Sequence, residues 1–147
     1  MPRRFNEKSL HAIDPKGRLL LPQDIRQALK IKQGDVLYLV PNLADPPYLE
    51  VRTASQWTEY QQGLRREASG EQKKDSFRYA MLIRDKAIVD GQGRFMIPNQ
   101  IRENCKLNGT VAVVNMDVYV EVWAEDQLEK KYTDMVRAFK ATNDRMF

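Results

Sequence analysis

One cysteine and one histidine are all that this 147-residue chain contains of thiolate and imidazole metal ligands. Cys105 alone excludes an internal disulfide and fits a reducing compartment. With His11 it is too little for a zinc site. No apolar run approaches the length of a membrane span. The start, Met1-Pro2-Arg3-Arg4-Phe5-Asn6-Glu7, is basic but lacks the apolar stretch of a signal peptide. No lipidation box is present, so the expected location is the cytoplasm. No nucleophile, base and orienting group cluster in sequence, and Gly91-x-Gly93 has no third glycine at dinucleotide-binding spacing. Neither an enzyme nor a cofactor is expected.

What is present is a duplicated turn. Asp14-Pro15-Lys16-Gly17-Arg18-Leu19-Leu20-Leu21-Pro22 returns 76 positions later as Asp90-Gly91-Gln92-Gly93-Arg94-Phe95-Met96-Ile97-Pro98. The register holds beyond it, matching Ile25 to Ile101, Arg26 to Arg102 and Lys30 to Lys106. An ungapped repeat at this spacing indicates internal duplication. The net charge of +4 permits a nucleic acid partner without demanding one.

Each copy predicts the same local plan. Ser9 to Ile13 and Leu19-Leu20-Leu21 read as strands joined by the turn, hence as a β-hairpin. Asp14 can accept hydrogen bonds from amides ahead of it, Pro15 presets φ, and Gly17 tolerates positive φ. Pro22 opens a short helix with Ile25 and Leu29 on one face, closed by Gln33-Gly34-Asp35. Val36 to Val40 and Tyr48 to Val51 read as strands. Ser55 is the expected cap of a helix carrying Trp57, Tyr60 and Leu64 on one face, and 63–76 reads as helix end and connector.

The second half follows suit. Ala80 to Val89 leads into the turn at Asp90, and Pro98 starts a helix with Ile101 and Cys105, ended by Leu107-Asn108-Gly109. Thr110 to Val114 and Tyr119 to Val122 are strands, and a final helix carries Leu128, Tyr132, Met135, Val136 and Phe139 on one stripe. Neither half, 1–76 or 77–147, can bury a core alone. Interleaved about a pseudo-two-fold axis they would hide each other's edges, giving an α+β protein dominated by a small barrel.

The doubled Asp-x-x-Gly-Arg-x-x-x-Pro, each followed by Ile-Arg one turn later, resembles the MraZ family, within the AbrB/SpoVT-like group of swapped-hairpin DNA-binding proteins. The likeness runs from about Leu10 to about Tyr132. It implies a double-split β-barrel built from two tandem pseudo-symmetric AbrB-like half-repeats, with short helices and a C-terminal helix, assembled as a ring-shaped homo-oligomer. It also implies a sequence-specific transcriptional regulator, usually a repressor, bound to promoter repeats of the division and cell-wall gene cluster and associated with the nucleoid. Two features depart from the family pattern. Gly91 leaves the second turn less charged than the first, and Arg52 and Leu128 stand where an aromatic residue is common.

By position, the Asp-x-x-x-Arg residues of the family fall on Asp14, Arg18, Asp90 and Arg94. Arg18 and Arg94 are the expected main contacts to double-stranded DNA, since a guanidinium fork fits phosphate oxygens or a guanine edge. Lys16 would add a phosphate contact, with Arg26 and Arg102 on the flanks. Asp14, Gly17, Asp90 and Gly93 are expected to structure the turns. By the turn alone, Arg18 and Arg94 could equally pair with Asp14 and Asp90 and have no ligand; Arg26 and Arg102 could be solvated helix-surface residues. Arg3 and Arg4 read as a basic arm or as a disordered terminus. An adaptor that assembles as a ring without specific DNA binding is the alternative of a different class. An antitoxin-like regulator would need a disordered tail, whereas the sequence after Leu128 reads as an amphipathic helix.

Overall fold

The computed structural model describes residues 4–146, so Arg3 lies outside the described residues. A short 3-10 turn, Glu7–Ser9, leads into β1 (Leu10–Ala12), β2 (Arg18–Leu20), α1 (Gln23–Ala28), β3 (Val36–Asn42), β4 (Tyr48–Arg52) and α2 (Ala54–Glu67). Then follow α3 (Glu71–Ile83), β5 (Asp85–Ile88), β6 (Arg94–Met96), α4 (Asn99–Asn104), β7 (Thr110–Asn115), β8 (Val120–Ala124) and α5 (Glu125–Met146).

The strands form one six-stranded antiparallel sheet, in the order β1-β7-β8-β4-β3-β5, and a separate two-stranded ribbon of β2 and β6. The ladders close no barrel. Exchanging each first-half strand for its repeat (β1 with β5, β2 with β6, β3 with β7, β4 with β8) reverses the sheet order onto itself. Both outer strands are lent across the halves: β1 pairs with β7 and β5 with β3. The expected hairpin of β1 and β2 is therefore corrected. The turn joins them, but β1 ladders to Val111 and its neighbours while Arg18, Leu19 and Leu20 ladder to Met96, Phe95 and Arg94. Strands of three residues have too few bonds to hold an isolated hairpin, so each strand takes its partner from the other half.

The main core lies between the ribbon and the inner face of the sheet. Leu19, Leu21, Phe95 and Ile97 enter it from the ribbon and its extensions; Leu37, Leu39, Leu49, Val51, Val111 and Val122 from the sheet. Each such side chain contributes about 1.5–3 kcal/mol when removed from water. Ile25, Ile101 and Cys105 seal the ends, and burial pushes the Cys105 thiol up to about 12, consistent with an inert core residue. The other sheet face is covered in two patches. Trp57 of α2 and Ala80 of α3 pack with Val40, and Leu128 of α5 packs with Ala112 and Trp123. The stripe on α5 packs only at its start, because Met135 and Phe139 are exposed. Arg4 pairs with Glu129 and sits over the Tyr132 ring.

Several local expectations change. The connector is mostly helical: α2 and α3 are separated by Ala68, Ser69 and Gly70. Thr53, rather than Ser55, caps α2, because its hydroxyl accepts from Gln56 N–H while the Gln56 side chain accepts from Thr53 N–H. This reciprocal box satisfies two otherwise orphaned donors. The short helices stop before the predicted glycines. In α1 the N–H of Ile31 reaches Arg26 O and that of Lys30 reaches Gln27 O. Leu107 and Lys106 repeat the pattern onto Arg102 and Glu103 in α4. These are Schellman closures with lysine, at φ 56° and 57°, where glycine is usual. Since a left-handed L-residue is strained, Lys106→Gly should stabilise the protein by about 0.5–1 kcal/mol, read as a higher urea midpoint at unchanged slope.

Candidate nucleic-acid interface

The two turns are built alike, atom for atom. Asp14 Oδ1 accepts from the N–H groups of Lys16 (3.0 Å) and Arg18 (2.8 Å), and its Oδ2 accepts from Arg18 Nε at 2.7 Å. Asp90 Oδ1 accepts from Gln92 and Arg94 N–H, both at 2.9 Å, and its Oδ2 from Arg94 Nε at 2.9 Å. The main chain closes each loop, Gly17 N–H donating to Asp14 O and Gly93 N–H to Asp90 O. One carboxylate thus organises four residues of backbone and also aims the arginine that follows. Each arginine is held through Nε, and no other contact ties its terminal nitrogens among the described residues. The ion pair and an outward-facing guanidinium fork coexist.

The amides acting on Asp14 and Asp90 hold both carboxyls below the ordinary 3.8: first the N–H of Arg18 or Arg94, opposed by partial burial and reinforced by the guanidinium. With the folded value depressed, the turns contribute their full stability above the unfolded carboxyl value and lose it as pH falls through the folded one. The urea midpoint of the wild type should therefore drop more steeply below about pH 4 than that of an Asp14→Asn/Asp90→Asn variant, measured by denaturation across pH 2–7.

Arg26 and Arg102 are tethered rather than solvated helix-surface residues. Arg26 Nε donates to Leu21 O and Arg102 Nε to Ile97 O, each at 3.0 Å. Each guanidinium then lies on the turn glycine of the opposite half. A methyl group added at Gly17 would come within 2.8 Å of Arg102 Cζ, and one at Gly93 within 2.6 Å of Arg26 Nη1. Gly17 and Gly93 also have φ of 90° and 84°. They thus answer two demands at once, a left-handed backbone and space for an arginine from the other repeat. Their sequence reveals the first demand only.

The ribbon is short and two-faced. Leu19 and Phe95 point into the core, so the pleat sends Arg18, Leu20, Arg94 and Met96 to the opposite face. Ladder bonds continue past both ends, from Ile97 N–H to Gly17 O and from Leu21 N–H to Gly93 O, so the two turns stand at opposite ends. Arg18 and Arg94 are diagonal neighbours, which places their Cα atoms about 7–8 Å apart. Lys16 is exposed on the first turn, and Gln92 takes its place on the second, so the first turn carries one more cation.

Arg52, noted in sequence only as a departure, is buried. Its guanidinium lies 3.6 Å from the Tyr60 ring centroid and 4.8 Å from that of Tyr119, and Nη1 donates to Glu50 Oε1 at 2.8 Å. Contact with two ring faces and an ion pair offset the cost of burying this cation. Among the described residues no group of three or more His, Cys, Asp or Glu is placed to hold a metal, and no helix is long and apolar enough to cross a membrane.

Interlocked half-repeats presenting an arginine-bearing ribbon between two carboxylate-closed turns define a swapped α+β protein with a paired cationic face. A family model described as "MraZ protein, putative antitoxin-like" matches residues 5–78. Proteins named transcriptional regulator MraZ are similar along most of the chain. That of Desulforamulus reducens is 31% identical over 82% of this chain and 81% of its own length. Those of Moorella thermoacetica and Caldanaerobacter subterraneus subsp. tengcongensis are 28% and 29% identical, covering 92% and 85% of both partners. The chain belongs to the MraZ family of transcriptional regulators.

Proposed function

We propose that this protein is a sequence-specific DNA-binding transcriptional regulator, acting as a repressor, and that the β2–β6 ribbon with its two turns is the DNA-binding surface. The observation that carries the reading is the symmetric anchoring of Arg18 and Arg94, which leaves both terminal forks facing away from the core. A preordered fork loses little entropy on meeting a phosphate or a guanine edge, and a two-stranded ribbon fits the major groove of B-DNA. Lys16 adds a phosphate contact on the first turn. Arg26 and Arg102, fixed through Nε, offer their remaining N–H groups to the flanking backbone. Asp14, Asp90, Gly17 and Gly93 set the turn geometry.

At the level of the whole chain, the reading includes two half-repeats, 1–76 and 77–147, interlocked as a double-split barrel. It also includes a ring-shaped homo-oligomer, cytoplasmic and associated with the nucleoid, that engages promoter repeats of the division and cell-wall gene cluster. Several subunits on successive repeats raise apparent affinity through effective concentration. The test is fluorescence anisotropy of a fragment from upstream of the protein's own gene against a scrambled duplex, across 50–300 mM salt. Saturable binding that prefers the upstream fragment and weakens steeply with salt is expected. Absence of binding to either duplex would replace this reading with that of a ring-forming adaptor.

A further inference from the structure

Between the two arginines of the ribbon stand two apolar side chains that neither the core nor any helix covers. Leu20 and Met96 are each 45% exposed. The ladder sets Met96 directly opposite Arg18 and Leu20 directly opposite Arg94, so the outer face consists of two arginine–hydrophobe pairs related by the pseudo-two-fold axis. Their inward neighbours Leu19 and Phe95 are essentially fully buried, which fixes the outward direction of all four.

We propose that Leu20 and Met96 are base-reading residues that pack against thymine methyl groups in the major groove, beside the guanine or phosphate contacts of Arg18 and Arg94. This rests on the ribbon being the DNA-binding surface. Three features of the face support it. Directly opposite side chains in an antiparallel pair are about 4.5–5.5 Å apart, and base pairs along one strand step by about 3.4 Å. An arginine seated on one base edge therefore holds its partner hydrophobe one to two base pairs away. The only apolar group that base pairs present in the major groove is the thymine methyl, and unbranched Met and flexible Leu adapt to it. Finally, the turns and ribbon carry three cationic side chains (Lys16, Arg18, Arg94) against two carboxylates (Asp14, Asp90), and Arg26 and Arg102 reach the turn glycines from α1 and α4. That balance favours a polyanion over a second hydrophobic protein surface as the occupant. The preferred site would thus hold thymine within two base pairs of each arginine-contacted position, in two oppositely oriented arms.

The experiment exchanges thymine for deoxyuracil in the upstream duplex, which deletes the 5-methyl group and leaves Watson–Crick pairing intact. Wild-type protein should bind the fully exchanged duplex more weakly, by about three- to fivefold for each methyl contacted. Leu20→Ser/Met96→Ser protein should bind both duplexes alike, with its salt dependence retained and its melting lowered only modestly, since both side chains are about half exposed. Leu20→Ala/Met96→Ala serves if the serine variant melts early. Equal wild-type affinity for the two duplexes, with binding still abolished in Arg18→Ala/Arg94→Ala, would overturn the thymine reading and leave the DNA-binding surface standing. No wild-type binding to any duplex would overturn both. A change in oligomeric state of the serine variant by light scattering, with the deoxyuracil effect retained, would assign Leu20 and Met96 to subunit contact instead.

Discussion

Arg18→Ala/Arg94→Ala protein should bind upstream DNA about 100-fold more weakly than wild type, or worse, and show a shallower salt dependence. A bidentate arginine contact is worth about 1–3 kcal/mol, and the pseudo-two-fold axis makes the two losses parallel. Each lost phosphate contact should also lower the slope of log affinity against log salt by about one. Lysine in place of both arginines separates charge from geometry. It restores a positive charge but has neither the fork nor an Nε to hold it against Asp14 Oδ2 or Asp90 Oδ2. Affinity should therefore recover only in part, whereas a purely electrostatic surface would recover most of it. The first turn should matter more than the second, because Lys16 has only Gln92 as its counterpart. Arg18→Ala alone should then cost at least as much as Arg94→Ala. If both alanine variants bind like wild type while remaining folded, the arginines serve only to close their turns.

Phe95→Ala should destabilise the protein by about 3–5 kcal/mol, enough to unfold much of it if its total stability lies near the low end of the usual 5–15 kcal/mol. Phe95 is 1% exposed and sits opposite Leu19 at the centre of the ribbon. It belongs to the same core cluster as strands of both halves. The resulting cavity cannot be confined to one repeat, because among the described residues β2 and β6 ladder only to each other. Loss should appear as one cooperative transition at lower urea, with no plateau from a surviving first half. A two-step melt with half the signal retained would show that the repeats are stable separately. Leu19→Ala, at the facing position, should cost about 2–5 kcal/mol, and its effect should not add simply to that of Phe95→Ala, since the two share one cavity.

Much of this molecule was legible in the chain because it is written twice. The ungapped repeat identified both turns, and the residue types named their parts: a carboxylate that accepts amides, a glycine for positive φ and an arginine beyond. Leu19-Leu20-Leu21 and Phe95-Met96-Ile97 are unbroken apolar runs, so only the fold showed that Leu19, Leu21, Phe95 and Ile97 face inward. Trp57, Tyr60 and Leu64 packed together as their helical spacing predicted. Cys105 in the slot of Leu29 read as core and is buried. Caps and helix ends were less legible, since Thr53 and Ser55 offer the same hydroxyl and only backbone geometry decides between them. The lysines at 30 and 106 carry no signal of a left-handed closure.

Local patterning, then, determined the turns, the duplication and most of the elements, though not α3, because those follow from side-chain period and turn chemistry over a few residues. Tertiary structure decided which strand pairs with which. A three-residue strand has no register preference strong enough to choose between its sequence neighbour and its symmetry mate, and burial of Leu19 against Phe95 makes the choice. That exchange carried Arg26 onto Gly93 and Arg102 onto Gly17 and set Met96 opposite Arg18 and Leu20 opposite Arg94, while packing on the sheet placed the buried Arg52 over the rings of Tyr60 and Tyr119. Each joins residues distant in sequence, and such distances are fixed only when the two halves close on one core.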